Sequence, residues 1–167
     1  MTKAFVGLGS NLGEREAQIR RAIEELGKLP RTKLALVSSL YDTEPVGEVD
    51  QPRFLNAVAC METELTAGEL LWNLLLVEQR LGRVRAKVKK WGPRTIDLDL
   101  LFFGDLVAEE PGLIVPHPEA HLRAFVLTPL AEIDPDFVHP VLGETIAAIL
   151  LRLPKESGVR KGGRLWT

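Results

Sequence analysis

The spacing of apolar and polar positions changes period along the chain, and each change marks an element. Residues 3–9, KAFVGLG, read as a strand ending in glycine. GERE then opens a helix with Ile19, Ala22, Ile23, Leu26 and Leu29 on one face, and Gly27 and Pro30 end it. Residues 33–43, KLALVSSLYDT, read as a second strand, and the Pro- and Gly-rich stretch 44–53 as a loop. FLNAVACMET, 54–63, is a third strand. Thr66 and Glu69 form a capping box ahead of a helix with Leu70, Leu71, Leu74, Leu75, Val77 and Leu81 apolar, closed by Gly82. A basic loop leads to a fourth strand over 95–103.

The order βαββαβ predicts an α+β fold: a ferredoxin-like antiparallel sheet, with residues 111–167 as a C-terminal extension. The extension holds a Pro-rich connection and helical stretches near 119–131 and 144–153. A length of 167 residues suits a single domain, 1–167, with a core of its own.

The fourth strand carries an anomaly. Its apolar run, IDLDLLFF, is interrupted by Asp97 and Asp99, which alternation places on one face, roughly 6.6 Å apart along the strand. Two unneutralised carboxylates at that separation repel by about 2.5 kcal/mol at an effective dielectric near 20. A hard divalent cation such as Mg²⁺ removes the repulsion; an exposed edge-strand face is the competing explanation, weakened by the apolar neighbours.

Charge sharpens the picture. The net charge is −2 and the sequence pI about 6.0, so nucleic-acid binding is not expected of the whole molecule and any anion site is local. One such concentration is the run from Gly82 to Ile96, with Arg83, Arg85, Lys87, Lys89, Lys90 and Arg94 and no acid. Beside a cation site it suits a polyphosphate, with Arg94, three residues before Asp97, the strongest candidate. Arg83 and Arg85, on a stretch flanked by Gly82 and Gly92, suit a closing lid. Glu78 lies on an apolar helix stripe, where a carboxylate is costly without a partner; a structural arginine and a role in the site are equal candidates. VPHPEAHLRAF, 115–125, supplies His117 between two prolines, then His121, Arg123 and Phe125; His139 reads as structural. GLGSNLG lacks the spacing of a nucleotide loop and reads as a strand-to-helix turn capped by Ser10 or Asn11.

Cys60, the sole cysteine, permits no internal disulfide and suits a reducing cytosol. The N-terminus shows no signal-peptide pattern, and no uncharged apolar run reaches a membrane span, so a cytoplasmic protein without membrane partners is expected. An RNA-binding module on the same sheet is disfavoured by the acidic pair and the lack of RNP-like aromatics; another metal-dependent phosphotransferase or nuclease on the same fold is a second alternative.

Taken together, GLGSNLG, YDTEPVGEVDQPRFLNAV, GRVR, WGPRTIDLDLLFFGD and VPHPEAHLRAFVLTPL resemble the 6-hydroxymethyl-7,8-dihydropterin pyrophosphokinase family of folate biosynthesis, over about residues 4–140. The resemblance implies transfer of the terminal diphosphate of ATP to the pterin hydroxymethyl group with release of AMP. It implies two Mg²⁺ on Asp97 and Asp99. It places the pterin between Phe54 and Phe125, read by Asn56, with Thr43 and Val46 contributing backbone groups and Trp91 closing the pocket. It places Arg94, His117, His121 and Arg123 on ATP, Glu78 at an ATP-site position, and Arg83 and Arg85 on the sealing loop. The expected partners are the two small substrates, and the expected state is a monomer.

Overall fold

Strands buried in continuous runs, with one face of each long helix packed against them, build the core. The computed structural model describes residues 1–11, 13–43, 53–82, 96–154 and 160–164. In chain order the elements are β1 (Thr2–Ser10), α1 (Arg15–Leu26), β2 (Thr32–Val37), β3 (Ser39–Thr43), β4 (Phe54–Thr63), α2 (Ala67–Arg80), β5 (Asp97–Phe103), β6 (Ala108–Glu110), β7 (Leu113–Val115), α3 (Ala124–Ile133), α4 (Ile146–Arg152) and β8 (Arg160–Arg164). A single 3₁₀ turn, Ala120–Leu122, precedes α3.

The main sheet runs β5-β1-β4-β3-β8, with β2 also on β4, and every pairing is antiparallel. The ferredoxin-like expectation holds, because β1, β4 and β5 and the β2–β3 pair occupy the four positions of βαββαβ. Helices cover both faces. Ala4, Val6, Leu8, Met61, Leu98 and Leu100 pack with Ile19 and Ile23 of α1 and Leu70 and Leu74 of α2. Phe5, Val58, Cys60, Leu101 and Phe102 pack with Leu127 and Leu130 of α3 and Ile149 of α4. The Cys60 thiol is buried in this second cluster.

The capping box is present, with Thr66 accepting from the Glu69 N–H and Glu69 from the Thr66 N–H. Four expectations need correction. The second strand is two, broken at Ser38, whose hydroxyl accepts the Val58 N–H at 2.9 Å in place of a backbone carbonyl. The first helix starts at Arg15 with Glu14 at the cap position and no side-chain cap, while Ser10 ends β1; neither Ser10 nor Asn11 caps it. The stretch near 119–131 is a 3₁₀ turn followed by a helix that begins only at Ala124. A small hairpin, β6–β7, runs into the start of the Pro-rich connection.

Candidate active site

The chemistry gathers where β1, β4 and β5 lie side by side. Asp97 and Asp99 are half-buried and Leu98 between them is buried in the helix-α1/α2 core, so the carboxylates project from the opposite face. Their partners across the ladder are Gly9 and Gly7. Two glycines spaced by two on a strand let neighbouring side chains close over the backbone: a Cβ at Gly7 would meet the Leu101 side chain at 3.4 Å. The sequence reading ends the strand at Gly9 and takes GLGSNLG for the strand-to-helix turn; the strand holds both glycines and runs on to Ser10. Their period-two spacing was the signal for a strand face closed over by neighbouring side chains.

The next strand continues this face. Gly9 pairs with Asn56 of β4, and a Cβ on Gly9 would fall 3.0 Å from Asn56 Oδ1 and 3.7 Å from the Phe54 ring. Asn56 is nearly buried, and its Nδ2 donates to Thr43 Oγ1. Thr43 is buried as well and pairs with Phe54 in the ladder. Thr43, Phe54, Asn56 and the acids therefore share one face, as a flat polar heterocycle beside a cation site requires.

The segment after β7 brings in the basic side chains. The His117 N–H donates to the Leu101 carbonyl at 2.8 Å, fixing that residue beside β5, after a cis Val115–Pro116 bond. Burial, and after it the Arg123 guanidinium, lowers the pKa of the His117 imidazole from its ordinary value, while Glu119 and Asp97 pull the other way. His117 Nδ1 accepts the Glu119 N–H at 3.1 Å. The neutral ring then carries its proton on Nε2, an uncharged donor for a phosphate oxygen. Arg123 pairs with Glu119 and lies over the Phe125 ring, 5.5 Å from its centroid. Phe125 is partly buried against the α3/α4 core.

Two other candidates sit differently. The His121 ring stands 5.8 Å from that of His139, and its buried Nδ1 has no hydrogen-bond partner among the described residues. Glu78 is 1% exposed, and its Oε2 accepts the Leu98 N–H at 2.7 Å. Val46, Arg83, Arg85, Trp91 and Arg94 lie outside the described residues.

Among the described residues no group of three or more metal-ligating side chains occurs. The aspartate pair alone still fits Mg²⁺, which keeps waters and is commonly bound through one or two carboxylates plus substrate phosphates.

A ferredoxin-like sheet with a carboxylate pair next to an aromatic-and-amide face fits the class of phosphoryl-transfer enzymes. Comparison with known proteins narrows this. Residues 5–135 match the family model for 7,8-dihydro-6-hydroxymethylpterin-pyrophosphokinase, and the chain belongs to that family. It is 44% identical over 161 residues to the 2-amino-4-hydroxy-6-hydroxymethyldihydropteridine pyrophosphokinase of Pseudomonas aeruginosa, covering 96% of this chain and 98% of that one. The Methylorubrum extorquens protein of the same name is 43% identical over 161 residues, covering 96% and 99%. The fold matches the crystal structure of wild-type HPPK-DHPS from Plasmodium falciparum with a TM-score of 0.69 at 16% identity, over 90% of this chain and 44% of that longer one. No helix among the described residues is long and apolar enough to cross a membrane.

Proposed function

We propose that this chain transfers diphosphate from ATP to 6-hydroxymethyl-7,8-dihydropterin. The pterin hydroxyl oxygen bonds to the β-phosphorus, the bond from that phosphorus to the α–β bridging oxygen breaks, AMP leaves with that oxygen, and the hydroxyl proton passes to solvent. The observation that carries the reading is the single face shared by Asp97, Asp99, Asn56 and Phe54 in a member of this family. Asp97 and Asp99 would hold two Mg²⁺, which would supply charge compensation for the phosphates.

The chain's own residues supply the rest by position. Phe54 and Phe125 offer rings for stacking, and Asn56, oriented by Thr43, offers its amide to the pterin edge. His117 presents an N–H without adding charge, while Arg123, screened by Glu119, adds one next to it. His121 is kept as an ATP contact on the resemblance alone. The resemblance also assigns Val46 and Trp91 to the pterin, and Arg83, Arg85 and Arg94 to the phosphates. Positioning and charge complementarity carry such a transfer without a dedicated base. We read residues 1–167 as one domain, acting as a cytoplasmic monomer.

The test is the nucleotide product. Protein with ATP, Mg²⁺ and 6-hydroxymethyl-7,8-dihydropterin should release AMP in a 1:1 ratio with pterin diphosphate. ADP as product would assign a different phosphotransfer to the site.

A further inference from the structure

β5 ends the main sheet, with β1 on its inner side. An edge strand turns alternate N–H groups away from its neighbour, and a buried one needs an acceptor. The structure supplies it from a helix: Glu78, in the last turns of α2, takes the Leu98 N–H at 2.7 Å while 1% exposed. Leu98 is the residue between Asp97 and Asp99. Any rotation or slip of the strand at Leu98 re-aims both neighbouring carboxylates together. An acceptor oxygen carried by a helix ties the strand at that point to a rigid element. A carboxylate on an apolar stripe is costly to bury, and fixing the strand geometry at Leu98 gives it a use.

We propose that Glu78 is a positioning residue: it locks the backbone at Leu98 so that Asp97 and Asp99 keep the spacing and aim a divalent cation requires. This departs from a direct contact with ATP, and it rests on the pyrophosphokinase reading of the aspartate pair. Groups that orient metal-binding side chains typically govern affinity by roughly 10- to 100-fold.

Two variants separate hydrogen bonding from charge and volume. Glu78→Met keeps size and apolar packing but removes the acceptor; Glu78→Gln keeps an acceptor oxygen and removes the charge. The readouts are Mn²⁺ titration by electron paramagnetic resonance with α,β-methylene ATP present, titration of 6-hydroxymethylpterin fluorescence, and melting temperature. Glu78→Met should bind Mn²⁺ at least tenfold more weakly with pterin affinity within about twofold of wild type, and Glu78→Gln should stay within about threefold of wild type for both. Wild-type Mn²⁺ affinity in Glu78→Met overturns the proposal. So does a Gln variant as weak as the Met variant, which would make charge the decisive property, or equal loss of metal and pterin, which would make Glu78 a general packing residue. If Glu78→Met does not fold, hydrogen exchange at the wild-type Leu98 amide decides, and exchange as fast as at exposed amides overturns the proposal. A wild-type protein that binds no Mn²⁺ with the nucleotide refutes the pyrophosphokinase reading itself, whereas normal wild-type binding matched by Glu78→Met refutes only the role of Glu78.

Discussion

A methyl group added at Gly9 would meet Asn56 Oδ1 at 3.0 Å, and Asn56 cannot swing clear without breaking its bond to Thr43. Gly9→Ala should therefore cost about 1–3 kcal/mol in stability through overpacking, read by urea denaturation. It should also weaken pterin binding, read by fluorescence titration; unchanged affinity would detach Asn56 from the pterin. Asp97→Asn and Asp99→Asn pull the other way. Each removes one of two same-face carboxylates, so the fold should hold or gain stability, by less than the roughly 2.5 kcal/mol of unscreened repulsion. Diphosphate transfer should fall by orders of magnitude, because a carboxamide is a poor ligand for a hard cation. A structural pair would show lost stability with normal AMP release. Phe54→Ala should weaken pterin binding by about 1–3 kcal/mol and leave nucleotide binding unchanged; parallel loss of both would make Phe54 a core residue. At this scale the sequence shows costs better than partners. It exposes Glu78 as misplaced, yet cannot name the Leu98 N–H that takes it, since a backbone donor leaves no mark in the residue types.

The elements legible in the sequence are those with a continuous apolar run or an apolar helix stripe. β4, read as 54–63, is Phe54–Thr63, and α2 follows its capping box. The missed ones depend on pairing. RKGGR, β8, has no apolar alternation and becomes a strand because β3 offers it an edge. Ser38 breaks the strand from within, through a hydroxyl that competes for the ladder. The connection between these strands and α3 is also non-local. Glu132 accepts the Ser39 N–H at 2.8 Å, the Ser39 hydroxyl at 2.7 Å and the Tyr41 hydroxyl at 3.0 Å. Burial first, and then Glu132, pushes the Tyr41 hydroxyl up to about 12, so it remains a donor. For Glu132, burial raises the carboxyl, but the Ser39 and Tyr41 hydrogen bonds outweigh it and leave it below the ordinary 4.5. The stabilisation it gives is complete above that ordinary value and is lost as pH falls through the lower folded one. Glu132→Ala should cost about 1–3 kcal/mol at pH 7 in urea denaturation, and the difference from wild type should shrink in acid. Equal stability of the two proteins at pH 7 would show that this junction does not hold β3 to α3.

For the whole molecule, the α3/α4 side supports the strand that carries the acids. The Phe102 ring, on β5, meets Phe5, Phe137 and His139 edge-on at 6.4, 5.1 and 5.3 Å between centroids. His139 is 4% exposed; its Nδ1 accepts the N–H groups of Val141 and Leu142, and the His121 ring faces it. Burial, and then His121, lowers the His139 pKa, and burial followed by Arg123 lowers that of His117. For both, the unfolded chain binds protons at a higher pH than the folded one. Stability is therefore undiminished by these groups above the ordinary histidine value of 6.5, and falls as pH drops from there toward the lower folded values. Melting temperature should decline between pH 7.5 and 5.5, well before the carboxylates titrate. His139→Asn keeps an acceptor for the turn at Val141 and Leu142 but cannot ionise, so its decline over that interval should be smaller than that of wild type. His117→Asn tests the same sign beside the aspartates, where Asp97 pulls against burial. Identical melting profiles for wild type and both variants would place the acid sensitivity elsewhere. A decline reduced only in His139→Asn would show that the support beneath β5 yields to acid before the site does.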